Sequence, residues 1–389
     1  MINKNKINKF INEIYPVRDS DSKSVLRQWY EILRIALTAQ FTPNEYYLYE
    51  IHRKDKSIGE LSRYMSNSLW LDRVMPALTD SQWEQILENK WLFNQYYSSL
   101  KLPVPKAYAF LTNDGGMTSN GCLIDDIDDL ITYLHTEQPE SLVVKPLCGY
   151  GGRFITVLDS LLFCTDDLIG ESCSGNDQNF RSLCETILRY KRRNSGLLVE
   201  TKINQHAFFD YINPYTISTL KIITFLKKNL EPEILSAAVK FGRKGSEVDT
   251  ISRGGFSRGV DIQNGYLNDW GLLSDKTHSS IIIKHPDTNE NFEWLKIPMW
   301  RDIVATIQRF SRNTIFARIV SWDVILSDEG PVVIEGELNP RLDIMQCHSG
   351  GFMTDTFIPK LNEFGITIDD TKLSKIKISS FRSALRRWL

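Results

Sequence analysis

The chain has 389 residues, and its 46 Lys and Arg against 48 Asp and Glu give a formal net charge of −2. That balance supplies no bulk electrostatic case for nucleic acid as a partner, and the length suffices to bury a core without metal or disulfide staples. No apolar run approaches a membrane span, and the basic N-terminus MINKNKINKFINEIYP has no apolar stretch of the secretory kind. The expectation is a cytoplasmic protein of two or three domains, or one large composite unit. The six cysteines form no CxxC pair and have no histidine cluster beside them, so reduced thiols are expected rather than zinc.

The first hundred residues read as helical. Segments 22–41 (SKSVLRQWYEILRIALTAQF) and 80–100 (DSQWEQILENKWLFNQYYSSL) carry apolar residues at helix spacing. Their aromatics suggest a packed layer. Leu102-Pro103-Val104-Pro105 ends this region, because two prolines so close favour extended chain. A strand over 106–111 follows, then an acidic amphipathic helix over 122–136, then two strands around a glycine-rich turn in 141–159. Segment 164–179 is polar and reads as an irregular loop. A helix over 178–193 and a buried strand over 196–203 come next.

From 218 to 268 the pattern is β. Strands are expected at 218–226 and 233–243, and around the hairpin signal Asn264-Gly265, where both residues tolerate positive φ. Residues 300–313 form an amphipathic helix. Residues 317–340 form a hairpin turning at Asp328-Glu329-Gly330. The expected class is α+β with largely antiparallel sheets.

Four groups of residues point to chemistry. The first is Asp323, Glu335 and Glu337, with Asn339 beyond. Side chains alternate along a strand, so Glu335, Glu337 and Asn339 share a face if the strand persists, with Asp323 on its hairpin partner. Carboxylates converging there repel unless a cation sits among them, and magnesium suits such oxygen ligands. The alternative is a solvated acidic edge, opposed by the apolar run that leads into Glu335.

The second group is Lys145 followed by Gly149, Gly151 and Gly152. A strand-end lysine aims an ammonium at phosphate, and glycines let backbone N–H groups approach it. No Walker A sequence is present, and an ordinary hairpin turn reads equally well. The third is Leu197 to Ile203, an apolar strand turning into a linker, able either to offer its backbone to an adenine edge or to act as plain core. The fourth is the cationic set Lys221, Lys240, Arg243, Lys244, Arg253, Arg258 and Arg341, for which surface positions are expected except at Lys240. Positioned cations stabilise phosphoryl transfer. His206 and His348 carry less weight, and spacing gives no Ser–His nucleophile pair.

In this order the pieces resemble the ATP-grasp superfamily, and more narrowly the sugar-transfer associated ATP-grasp family. The residues that carry the resemblance are VVKPLCGYGGRFI (143–155), LLVETKINQH (197–206), NPYTISTLKIIT (213–224), VDTISRGGFSRGVD (248–261) and SWDVILSDEGPVVIEGELNP (321–340). With LENKWLFNQYYSSLKLPVP the resemblance runs from Lys90 to Ser349. It implies an ATP-grasp fold, two α+β subdomains gripping ATP, with boundaries at 1–100 (helical region), 101–205 (glycine loop and hinge), 206–360 (metal hairpin) and 361–389 (basic tail).

Position by position, the resemblance implies that Lys145 and the loop Gly149, Gly151 and Gly152 hold phosphates. Glu200, Thr201, Lys202 and Ile203 form the adenine hinge, with His206 beside the nucleotide. Asp323 and Glu335 hold Mg2+, with Glu337 and Asn339 as further ligands, and Lys221, Lys240 and Arg341 serve the chemistry. Three departures stand out. Glu337 stands where the family usually has asparagine, Lys221 where it tends to have arginine, and Lys240 likewise. Lysine keeps the charge and loses the bidentate fork.

The implied activity is an ADP-releasing carboxylate–amine ligase. It would form an amide through an acyl phosphate on a small-molecule or surface-polysaccharide substrate that bears a carboxylate. The alternatives are a kinase acting on a hydroxyl and a nucleotide-binding module without turnover. The tail 375–389 (KIKISSFRSALRRWL) reads as a surface helix, with anionic membrane as the other partner.

Overall fold

Two antiparallel sheets organise the chain, one built before residue 202 and one after residue 218. The computed structural model describes residues 14–38, 41–149, 151–164, 166–172, 176–190, 196–246, 248–251, 254–274 and 279–368. The tail 375–389 and Arg253 lie outside the described residues.

The first sheet holds β1 (Ala107–Thr112), β2 (Gly115–Thr118), β3 (Leu123–Ile124), β4 (Leu142–Pro146), β5 (Thr156–Cys164), β6 (Asp167–Glu171), β7 (Asp177–Asn179) and β8 (Gly196–Thr201), in the order β3-β2-β1-β8-β4-β5-β6-β7. Its central strands β4 and β8 are the most apolar, and Leu142, Val144, Leu197 and Val199 pack with Leu130 and Leu134 of the helix Ile127–Glu137. That helix starts later than its hydrophobic pattern suggests. Asp126 leaves helical geometry and accepts from the backbone N–H groups of Asp128 and Asp129, the usual way a short acid caps a helix. The polar segment 164–179 also differs from expectation. β6 and β7 close it into hairpins, with Phe163 opposite Leu168 and Ile169 opposite Asn179. An edge hairpin with one wet face needs little apolar sequence, which is why the composition resembled a loop.

The second sheet holds β9 (Thr219–Leu226), β10 (Pro232–Phe241), β11 (Phe256–Val260), β12 (Leu267–Ser274), β13 (Ser279–Ile282), β14 (Ile319–Ser327) and β15 (Gly330–Glu337), in the order β13-β12-β11-β10-β9-β14-β15. Directly opposed residues share a face. One face therefore collects Leu220, Ile222, Val239, Phe241 and Trp322 against Ile303, Ile307 and Phe310 of the helix Trp300–Arg312. The other face carries Thr219 opposite Lys240, Lys221 opposite Asp323, and Asp323 opposite Glu335. A bulge after this last pair leaves Ile334 without a partner. Bulges of this kind re-aim neighbouring side chains, here Glu335.

The expected helix over 80–100 is broken at Asn89. Its side chain accepts from the backbone N–H groups of Trp91 and Leu92 and starts a new helix, Lys90–Ser99. The break lets the Lys90 N–H donate to the carbonyl of Leu147, just past β4.

The N-terminal helices, among them Val25–Thr38 and Pro43–Leu48, dock on the segment that follows β15. Gln346, fully buried, is the fastener. Its amide nitrogen donates to Tyr49 Oη (3.1 Å) and to the Met65 carbonyl (2.9 Å), and its oxygen accepts from the N–H groups of Met65 (2.7 Å) and Phe352 (3.2 Å). Replacing Gln346 by Ala strands buried donors and acceptors on both sides, each costing about 1–3 kcal/mol. The variant is expected to lose about 3 kcal/mol of stability in urea unfolding, and an unchanged midpoint would show that the docking is held elsewhere.

Candidate functional site

The polar face of the second sheet stacks carboxylates and ammonium groups against one another. Lys221 Nζ donates to Glu337 Oε2 at 2.5 Å and approaches Asp323 Oδ1 at 3.4 Å. Lys240 Nζ donates to Asp323 Oδ2 at 2.7 Å and stands 3.9 Å from Asp249 Oδ1. Asp249 is fixed in turn by Thr219, whose N–H donates at 3.1 Å and whose hydroxyl donates to the same oxygen. Lys90 Nζ donates to Glu335 Oε1 at 2.9 Å and to the Gly149 carbonyl at 3.2 Å. The Asp323 and Lys221 side chains are only about a tenth exposed, whereas Glu335 and Glu337 are each 21% exposed, so the strip opens to solvent on the β15 side.

The ionisation of this strip follows from its pairing. Burial disfavours the Asp323 charge, but Lys221 and Lys240 outweigh burial and bring its pKa down to about 2. Burial also works against the Lys240 and Lys221 ammonium groups. Asp249 and Asp323 reverse this for Lys240, Asp323 and Glu337 reverse it for Lys221, and both lysines sit above the ordinary lysine range. Asp249 is the exception, because burial there outweighs Lys240 and its pKa rises.

The glycine loop comes from the other sheet. Gly149, Gly151 and Gly152 have φ of 149°, 75° and 64°, values that glycine adopts without strain. A Cβ at Gly149 or Gly151 would meet nothing within 4 Å, while one at Gly152 would lie 3.0 Å from Val248 Cγ1 and 3.1 Å from Thr250 Oγ1. The loop therefore touches the segment leading to β11, and Lys90 joins it to β15. Lys145, buried at the end of β4, pairs with Glu200 Oε1 at 2.5 Å. Thr201 donates its N–H to the Lys106 carbonyl, Lys202 reaches both oxygens of Asp159 at 2.8 and 2.9 Å, and Ile203 is half-buried.

Two expected contributors are otherwise engaged. His206 caps the helix Ala207–Ile212, its Nδ1 accepting from the Phe208 N–H at 2.9 Å. Asn339 lies beyond the end of β15, so it does not continue the Glu335–Glu337 face, and its Oδ1 accepts from Trp70 Nε1 at 2.9 Å. An indole N–H can only donate, so the partner atom is the amide oxygen. The Asn339 NH2 group, a donor, is the other end of the amide.

Arg341 forks onto Asp343 at 3.0 and 2.6 Å with its side chain 68% exposed, and Asp343 first, with Glu337 further off, holds its pKa up. Arg243 pairs with Asp287, and Lys244 lies over the Tyr215 ring. The expectation of surface positions fails at Lys221 and Arg258. Arg258 is fully buried on the far face of β11, 4.0 Å from the Phe292 ring centre, and burial takes it down to about 9.

Sequence reasoning also missed Lys90 and Asp249, each a single charge beside residues already singled out. It missed a Ser–His contact too. Ser257, opposite Lys240, lies 2.9 Å from His348 Nε2, and burial lowers that imidazole to about 4.

Among the described residues no three or more acidic, histidine or cysteine side chains converge as a metal cage. Asp323 and Glu335, directly opposed across β14 and β15, fit a site of two carboxylates completed by phosphate oxygens. Glu337 turns one oxygen to Lys221, and Asn339 turns its oxygen to Trp70.

Among solved structures, the chain is similar to an L-amino acid ligase from Bacillus licheniformis (14% identity, 65% of this chain and 43% of that chain, TM-score 0.37). It is similar to a D-alanine–D-alanine ligase from Bacillus anthracis (13%, 80% and 72%, 0.36) and to a biotin carboxylase from Campylobacter jejuni (8%, 78% and 50%, 0.43). It thus spans less than half the length of the first of these proteins. No curated protein matches the chain. The sequence model of the sugar-transfer associated ATP-grasp proteins matches residues 72–356, well over half the chain. With the two antiparallel sheets and the N-terminal helical region described above, the chain belongs to the sugar-transfer associated ATP-grasp family and has the ATP-grasp fold.

Proposed function

We propose that the chain is an ATP- and Mg2+-dependent carboxylate–amine ligase. In this reading the boundaries 101–205 and 206–360 separate two halves that grip the nucleotide, and the cytoplasm supplies the ATP. The observation that carries the reading is the strip Lys221–Asp323–Lys240 beside the cross-strand acid Glu335, tied by Lys90 to the glycine loop of the opposite sheet. That arrangement sets cations and open glycine backbone around one opening, which is what an anionic, polyphosphate substrate requires.

The roles follow from the contacts. Gly149 and Gly151 give phosphate oxygens access to backbone, since no neighbouring atom crowds their Cβ positions. Lys145 moves from Glu200 to a phosphate, a short swing for a flexible stem that replaces one anion with another. The backbone from Glu200 to Ile203 borders the adenine. Asp323 and Glu335 hold the metal, which when bound neutralises phosphate charge and orients the transferred group. Lys240 and Lys221 stay protonated throughout, so they act as fixed positive charge beside the transferring phosphoryl group and not as bases.

Phosphoryl transfer to a carboxylate gives an acyl phosphate, and attack by an amine releases phosphate and forms the amide. The chain's task is positioning and charge neutralisation. The Asn339 amide hydrogens and the Arg341 fork, which holds Asp343, follow β15 in the chain as donors suited to an acidic acceptor. A carbohydrate or amino-acid carboxylate is the acceptor class that fits the family.

An ADP-release screen crossing uronic acids and amino acids with amino sugars and amino acids tests this reading. ADP and inorganic phosphate should appear together only when both an acid and an amine are present, and Asp323→Asn should lower that rate about 100-fold or more with the fold intact by circular dichroism. Phosphate retained on the acceptor, or full activity in Asp323→Asn, would refute it. For Lys145, calorimetry with MgATP should show affinity weakened about 10- to 100-fold in Lys145→Met; an equal affinity would remove Lys145 from the phosphate site.

A further inference from the structure

We propose that Lys221 is a built-in cation that takes the place of a metal ion at Glu337, so that the site binds a single divalent cation, on Asp323 and Glu335. The proposal rests on the MgATP reading above and goes beyond it by fixing the metal count and removing Glu337 from the ligand set.

Three contacts carry it. Lys221 Nζ is the partner of Glu337 at 2.5 Å, and the same ammonium reaches back to Asp323 at 3.4 Å, so it occupies the space between the two carboxylates. Its Cα belongs to β9, which is flanked on both sides by strands, with Ala238 opposite on β10 and Asp323 opposite on β14. The backbone therefore fixes its Cα, and the two carboxylates hold its ammonium. Lys240 closes the other flank by binding the second oxygen of Asp323. A divalent ion shared by Asp323 and Glu337 would have to enter within contact distance of an ammonium that both carboxylates already hold. Glu335 is different, because its cation, Lys90, arrives from a helix and not from the strand beside Asp323.

Charge balance points the same way. Asp249, Asp323, Glu335 and Glu337 face Lys90, Lys221 and Lys240, leaving one net negative charge if all are ionised. One divalent ion together with nucleotide phosphate suits that balance, whereas a second would sit beside three ammonium groups. Asn339 lies beyond the end of β15, with its oxygen accepting from Trp70.

The test is to count bound Mn2+ by electron paramagnetic resonance on the full chain saturated with ADP, with no turnover required. The wild type should bind one Mn2+ per protein–nucleotide complex, and E337Q should bind one with the same affinity. K221M, which frees Glu337 and one oxygen of Asp323, should bind two, and K221M/E337Q should return to one. Two ions in the wild type falling to one in E337Q would overturn the proposal, as would a folded K221M that still binds one. If K221M does not fold, E337Q and the charge-balanced double variant decide it, since a loss of about tenfold or more in Mn2+ affinity in E337Q identifies Glu337 as a ligand. A wild type that binds no Mn2+ with nucleotide would instead refute the MgATP reading on which the proposal stands.

Discussion

The structure depends on a row of lysines and acids that share one face of a sheet whose other face is apolar. A buried carboxylate is costly unless paired, and so is a buried ammonium. Asp323 meets the condition with two lysines, Lys221 with two acids, and Lys240 with Asp323 and Asp249. None of these groups can be removed singly without leaving an uncompensated charge. The register that brings them together is fixed from behind by Leu220, Ile222, Val239 and Trp322, because a one-residue slip of any strand would turn these into the site and the charges into the core.

The rest of the molecule holds that face in place. Lys90, placed by the Asn89 helix break, ties β15 to the glycine loop. Gly152 brings the same loop against Val248 and Thr250. The N-terminal helices grip the chain just past β15 through Gln346 and Trp70, and through Trp70 they decide which end of the Asn339 amide faces outward. A helical region that sequence analysis left without a role thus orients the amide of a residue just past β15.

Much of this was legible beforehand. Val332, Val333 and Ile334 leading into Glu335, and the glycines after Lys145, led to the hairpin and the loop because strand alternation and glycine geometry are local properties. The family match over 72–356 agrees with the resemblance drawn from those residues. What sequence could not show were the pairings made at long range. Lys221 with Glu337, Lys145 with Glu200, Ser257 with His348 and Trp70 with Asn339 join residues that no periodicity relates. Asn339 was expected on the Glu335 face because the alternation was carried past Glu337, where β15 ends. Segment 164–179 was read as loop because an edge hairpin needs few apolar residues.

In the proposed reading, nucleotide sits where the glycine loop of one sheet meets the charged face of the other. Hydrogen exchange followed by mass spectrometry, with and without MgATP, tests it most directly. The account predicts slowed exchange together in three stretches far apart in sequence: the chain from Lys145 to Phe154, the end of β8 from Val199 to Ile203, and β15 from Ile334 to Glu337. Protection confined to one sheet, or located away from all three, would contradict it.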